Sequence, residues 1–242
     1  MITVYDDRES LSYAAAGLFV QQARQAVNDH GWFSVVLSGG HTPRRTYELL
    51  AQLPFRDRVP WPYLHVFWGD ERCVPADDAL SNARMARQTL LDHVPIPESQ
   101  VHRISCEKTP HEAAVDYERT IREFFAEGPP RFDLVFLGLG ANGHTASLFP
   151  DTPVLEEKEH WVCEVCVPDQ EICRVTLTPQ IFNQATIVAF LVAGAAKARV
   201  LKQVLESPVD IHRLPAQLIA PTRGQLFWLL DQDASRMLRR EA

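Results

Sequence analysis

Apolar and polar positions alternate in blocks along the chain, some with helical spacing and some as short unbroken apolar runs. Between Ser10 and His30, residues Leu11, Ala14, Ala15, Leu18, Phe19, Ala23, Ala26 and Val27 recur at the spacing of one helix face. Gly31 is placed to stop that helix. Trp32–Leu37 is rich in aromatic and β-branched residues and predicts a buried strand. Ser38-Gly39-Gly40 turns out of it, and Thr42-Pro43 predicts a helix with Thr42 as N-cap and Pro43 at its first position. The alternation continues with a strand at Leu64–Trp68 and a helix from about Asn82 to His93. Thr109-Pro110-His111-Glu112 is a capping box that opens a helix to about Ala126, ended by Gly128-Pro129-Pro130. Phe132–Leu137 predicts the next strand. Further strands are expected near Trp161–Val167, Arg174–Leu177, Thr186–Val192 and Gln225–Leu230, with helices at Ala195–Leu205 and from near Asp233.

Unbroken apolar strands separated by helices predict an α/β fold: an open, mainly parallel sheet with helices on both faces. No repeat, low-complexity tract or long linker divides the chain, so residues 1–242 are expected to form one domain. The polar, proline-containing stretch Val74–Ser81 reads as a loop over the sheet edge, either a lid or a plain surface connection.

Composition narrows the function class. Hydrophobic residues make up 46% and charged residues 23% of 242 residues, which excludes intrinsic disorder. Lys and Arg number 24 against 31 Asp and Glu, and a net charge of −7 argues against a nucleic-acid partner. No stretch reaches the ~18 to 20 apolar residues of a membrane span. The first residues lack the basic-then-apolar order of a signal peptide, so a cytoplasmic location is expected. In that reducing compartment the five cysteines are expected as free thiols. Cys163 and Cys166 form a C-x-x-C, but on a strand an offset of three puts them on opposite faces, and no second ligand pair accompanies them.

Ligands of open α/β sheets bind beyond the carboxyl ends of the strands. Three loops at such ends carry unusual residues. In Ser38–Pro43, Gly39 and Gly40 let the backbone approach a ligand, and Ser38 and Thr42 add hydroxyls ahead of a helix N-terminus. The loop reads equally as a phosphate cradle and as a tight turn with a good cap; His41 within it is open to a ligand. Gly69–Val74 carries Asp70, able to orient a sugar hydroxyl or an imidazole, and Arg72, able to bind an anion. Gly138–Pro150 contains a G-x-G-x-x-G at Gly138, Gly140 and Gly143, but Pro150 cuts short any pyrophosphate-binding helix, so a dinucleotide is not expected. His144 follows that turn, where an imidazole of ordinary pKa ~6.5 can take a proton from water. No G-x-S-x-G and no metal-ligand spacing occur.

Taken together, Ser-Gly-Gly-x-Thr-Pro at 38–43, Gly-Asp-Glu-Arg at 69–72, Ser81-Asn82 and Gly-His-Thr-Ala-Ser-Leu-Phe-Pro at 143–150 resemble the 6-phosphogluconolactonase family. Arg174-Val-Thr-Leu-Thr, Gly194-x-x-Lys197-Ala198, Pro215-Ala216-Gln217 and Leu229-Leu230-Asp231 extend the resemblance over nearly the whole chain. The resemblance implies a Rossmann-like fold shared with glucosamine-6-phosphate deaminases and ribose-5-phosphate isomerases. It implies hydrolysis of 6-phospho-D-glucono-1,5-lactone, with no cofactor and no metal; apart from the resemblance, a monomer or small homo-oligomer is expected. His144 would be the general base. Gly39, Gly40 and Thr42 would hold the phosphate, with Arg174 and Lys197 as cationic partners. Asp70 and Arg72 would orient substrate, and backbone amides of the Gly138–Gly143 turn would meet the oxyanion. The family pattern usually has Asp two residues before the His; here it is Asn142, which keeps a hydrogen bond but gives up a charge, so the base should be harder to protonate. Two rivals remain: a deaminase or isomerase of the same superfamily, whose loop carries a Glu before the Pro, and a non-catalytic sugar-phosphate-binding protein that needs the cradle but no base.

Overall fold

The apolar runs become strands, and the residues that break them become the loops of one cleft. The computed structural model describes residues 1–126, 128, 130–168 and 171–239. The first half of the chain runs β1 (Ile2–Tyr5), α1 (Arg8–His30), β2 (Phe33–Leu37), α2 (His41–Leu50), β3 (Leu64–Trp68), β4 (Asp70–Arg72), α3 (Asn82–Thr89), β5 (Val101–His102) and α4 (Pro110–Phe124). The second half runs β6 (Leu134–Leu137), β7 (Val162–Val165), β8 (Arg174–Leu177), α5 (Pro179–Gln184), β9 (Ile187–Val192), α6 (Ala198–Glu206), β10 (Gln225–Asp231) and α7 (Gln232–Ser235).

Seven strands form one sheet in the order β1-β10-β9-β6-β2-β3-β5, and every pairing in it is parallel. β2, β6 and β9 are buried at every position. Successive side chains on a strand point to opposite faces, so complete burial means that both faces are covered. Phe33, Phe136, Phe190 and Trp228 fill the core, with Phe190 stacked on Trp228 at 3.9 Å between centroids. No helix among the described residues is long and apolar enough to cross a membrane.

The structure corrects four expectations. First, β7 and β8 leave the parallel sheet and pair antiparallel with β4 in a second sheet of order β4-β8-β7. The connection 166–173 is too short for the parallel crossover, which needs about a dozen residues or more. Second, Cys166 and Cys173 form a disulfide, leaving Cys73, Cys106 and Cys163 free among the described residues. Antiparallel register places Val165 opposite Arg174, which brings the two flanking cysteines face to face.

Third, α2 begins at His41 with Gly40, not Thr42, as N-cap, and no side chain caps it. Gly40 has φ of 101°, a conformation closed to most side chains, so the chain turns into the helix two residues early. Pro43 then falls within the first turn, where its missing N–H leaves nothing unpaired. Fourth, α3 ends at Thr89 rather than His93, because Leu90 leaves helical angles at φ −140° before a separate 3₁₀ turn over Leu91–His93. The Thr109 capping box forms as expected, with Thr109 and Glu112 each accepting the other's amide. Pro129, expected to end α4, lies outside the described residues.

Candidate active site

Chain order reverses across β2: β3 lies on one side of it and β6 on the other. Loops leaving the carboxyl ends of β2 and β6 diverge there, which opens a crevice by topology alone. A cleft of about 430 Å³ occupies that place. Ser38, Gly39, Gly40 and Thr42 line it after β2, Asp70 and Arg72 after β3, His144 after β6, Arg174 at the start of β8, and Lys197 after β9. Nine predicted residues thus converge from five segments of sequence. Arg8, Asn82 and His41 also line the cleft. Arg8 and Asn82 had no chemistry assigned from sequence; the only signal for Arg8 was a basic residue near the chain's first helix. A larger cavity of about 970 Å³ lies against α4 and β7, and none of these groups lines it.

Asn142 and Gly143 stand outside the cleft lining and support it from behind. The backbone N–H of His144 lies 3.3 Å from Asn142 Oδ1. An amide N–H only donates, so that side-chain atom must be the accepting oxygen. The same oxygen is 2.5 Å from His144 Nδ1, which must then carry a proton. Nε2 is left with the lone pair, the form a general base requires. Asn142 therefore does the orienting that was open to Asp70. Phe149 packs on the imidazole at 4.5 Å between centroids.

Gly140 is required by this arrangement. A Cβ there would sit 2.1 Å from His144 Cε1 and Nδ1. We expect Gly140→Ala to displace the imidazole and lower kcat at least 10-fold with little loss of thermal stability; a near-normal kcat would show that the ring is free to yield. Gly39 has a matching constraint, because a Cβ would fall 2.0 Å from Asn82 Oδ1.

The turn does not offer all its amides. Gly140 N–H donates to the His144 carbonyl at 2.8 Å, and Gly143 N–H to the Gly140 carbonyl at 3.2 Å. These two are committed inside the loop, which corrects their expected role as oxyanion donors. The loop also forms no helix before Pro150: Thr145 bridges Leu148, and Ala146 sits at φ 46°.

Asp70 and Glu71 are both buried, yet they do different things. Asp70 Oδ2 accepts the Ser147 hydroxyl at 2.6 Å, and its carboxyl faces the cleft. Burial pushes its pKa up, against the Ser147 bond and the charges of Arg72 and Arg174. Glu71 turns away and accepts the amides of Arg72, Asn82 and Ala83 and the Ser81 hydroxyl, all at 2.8 to 3.0 Å. It is the anchor of the α3 N-terminus, where a carboxylate also meets the positive end of the helix dipole.

The cations set the character of the cleft. Arg72 donates to the Leu80 carbonyl at 2.7 Å, and its Nε is buried without a hydrogen bond. Arg72 and Arg174 are direct partners in the β4–β8 register, which holds two like charges together. The Arg174 guanidinium also lies 5.0 Å over the Phe149 ring. Burial and Arg72 lower the Arg174 pKa, and burial lowers that of Lys197. Burial, then Arg174, Lys197 and Arg72, lower His144 to about 4. The imidazole is therefore neutral at pH 7, with its lone pair free, in a cleft built to attract a multivalent anion despite the acidic chain.

Comparisons with known proteins agree with this geometry. Residues 6–228 match the family model described as glucosamine-6-phosphate isomerases/6-phosphogluconolactonase. A 6-phosphogluconolactonase of Synechocystis is 43% identical over 219 residues, covering 89% of this chain and 88% of its own. The Homo sapiens 6-phosphogluconolactonase is 39% identical over 245 residues, covering 98% and 93%. The solved 6-phosphogluconolactonase from Trypanosoma cruzi superposes with a TM-score of 0.85 at 30% identity, covering 97% of this chain and 95% of that one. The chain belongs to the glucosamine-6-phosphate isomerase/6-phosphogluconolactonase family.

Proposed function

We propose that this chain hydrolyses 6-phospho-D-glucono-1,5-lactone to 6-phospho-D-gluconate, the lactone-opening step of the oxidative pentose phosphate pathway. The observation that carries the reading is an imidazole held through Nδ1 by Asn142 Oδ1, lining a cleft that also holds four cations, Arg8, Arg72, Arg174 and Lys197. The substrate's phosphate rests on Gly39, Gly40 and Thr42 at the α2 N-terminus, with Arg174 and Lys197 as counter-charges. Arg72 and Asp70 orient the sugar ring.

His144 Nε2 takes a proton from water as the water oxygen bonds the lactone carbonyl carbon. The field of Arg72, Arg174 and Lys197, which disfavours a charged imidazole, favours the oxyanion that forms. Collapse of the tetrahedral intermediate breaks the bond to the ring oxygen. That oxygen receives the proton from the imidazolium, and the new carboxylic acid ionises. Each turnover returns His144 to its starting state.

A deaminase or isomerase needs a further acid in the His144 loop. Thr145-Ala146-Ser147-Leu148-Phe149-Pro150 supplies no titratable group, and Leu148 and Phe149 are buried. A cytoplasmic chain with one catalytic domain fits this reading. The test is release of acid from fresh lactone with spontaneous hydrolysis subtracted. Turnover well above background supports the proposal; binding of 6-phosphogluconate without turnover overturns it.

The pH profile is a second test. The low His144 pKa keeps the base unprotonated as pH falls, until it passes through about 4. A bound phosphate dianion offsets the cations and raises that pKa. The acid limb of kcat should therefore lie at higher pH than the His144 limb of kcat/KM. Asn142→Asp puts a negative charge against Nδ1 and should move both limbs further up, by about 1 pH unit. Unchanged limbs in that variant would remove Asn142 from control of the base.

A further inference from the structure

Cys73 and Cys106 come from separate parts of the chain, yet their sulfurs lie 2.8 Å apart. Cys73 ends the β4 segment next to Arg72, and Cys106 follows β5. Both side chains are half-buried, and neither is in a disulfide. The S–H donated by Cys106 favours the Cys73 thiolate and lowers its pKa, while the same contact, with burial, pushes Cys106 up. A thiolate held against a thiol is poised for thiol–disulfide exchange.

Two further observations join this pair to the cleft. A second cavity of about 440 Å³ is lined by Cys106 and the loop residues Val74–Asp77, with Arg87 paired to Asp92 and Arg103 to Glu107 on its wall. Arg72 lines both that cavity and the cleft, so it is their common wall. On its other side, the Cys73 N–H donates to the Cys173 carbonyl at 2.9 Å, one residue from Arg174. Cys73 is therefore bonded directly to one cleft arginine and hydrogen-bonded next to the other.

We propose that Cys73 and Cys106 are a dithiol redox site, oxidised by a small disulfide, and that oxidation weakens substrate binding through Arg72. The coupling part rests on the function proposed above; formation of the cross-link does not. The Cys73 thiolate attacks one sulfur of the incoming disulfide and expels a thiolate. Cys106 gives its proton to that thiolate, and its sulfur then attacks the mixed disulfide at Cys73, releasing the second thiolate. Two protein thiols lose two electrons, and the small disulfide gains them. Closure draws Cys73 toward Cys106 and moves Arg72 with it. His144 is on another loop and stays in place, and Arg72 is the weakest of the three charges acting on it, so the large change falls on KM and only a small one on kcat.

The reduced protein is titrated with oxidised glutathione, thiols are trapped by alkylation, and peptides are mapped by mass spectrometry. A Cys73–Cys106 cross-linked peptide should accumulate, reversibly with dithiothreitol, and KM should rise about fivefold or more with kcat within about twofold. Cys106→Ser should retain the reduced KM and lose the response. Absence of the cross-link, a stable glutathione adduct in its place, or a cross-link with unchanged KM overturns the proposal. If the reduced protein hydrolyses no lactone, the function fails separately; the cross-link is still read by mass, and the coupling by calorimetry with inorganic phosphate.

Discussion

Replacing His144 with Ala should lower kcat for lactone hydrolysis by roughly 10²- to 10⁴-fold, the range that a positioned general base contributes. The assay is initial-rate acid release with background subtracted. Binding of 6-phosphogluconate should survive, because the phosphate contacts lie on other loops. Two other proton acceptors line the cleft, Asp70 and His41, and His41 sits at the start of α2 rather than on the His144 loop. Asp70 holds the Ser147 hydroxyl at 2.6 Å, and Lys197 is a cation. A variant that keeps a tenth of the wild-type kcat would move the base elsewhere, and Asp70 would be the next residue to change.

The second large effect is expected at Arg174. Arg174→Ala should raise KM by roughly 10- to 100-fold, the worth of one hydrogen bond to a charged group at about 1.5 to 3 kcal/mol. The same change removes the largest charge effect on His144, so the acid limb of the pH profile should move to higher pH in this variant. Loss of the guanidinium from the Phe149 ring also loosens packing beside His144, and less burial raises the same pKa, so a lysine at 174 is needed to separate charge from packing. Arg174→Lys should restore the pH limb more fully than KM, because an ammonium supplies charge without the planar fork. An unchanged KM in Arg174→Ala would place the phosphate elsewhere.

The central sheet was legible because complete burial demands unbroken apolar runs. β2, β6, β9 and β10 lie within a residue or two of their expected bounds. The small sheet was not legible. β4 is Asp70-Glu71-Arg72, three charged residues whose strand character comes wholly from pairing with β8. β1 was missed because its half-exposed edge position leaves four residues of weak alternation. The disulfide was hidden for the same reason as the small sheet: without the antiparallel register, Cys166 and Cys173 have no reason to meet.

Of the site, the loops at strand ends were found by rule. The division of labour within them needed coordinates. Sequence spacing put Asp70 and Glu71 side by side, while the fold turns one into the cleft and the other into the start of a helix. Likewise, Asn142 read as a lost charge, and only the two contacts to its oxygen make it the residue that fixes the tautomer.

Several helices begin beside this cleft, α2 and α3 among them, and each presents a positive end. At α3, Ser81 and Glu71 saturate the first amides with the protein's own oxygens. At α2, glycine stands at the cap and no side chain competes. Under the proposed function, the phosphate meets an open end at α2 and an end already filled by Glu71 and Ser81 at α3. A ligand tethered at one end has one heading. In that reading, a carboxylate that never touches the sugar ring, Glu71, helps set the direction in which the ring is presented to the imidazole.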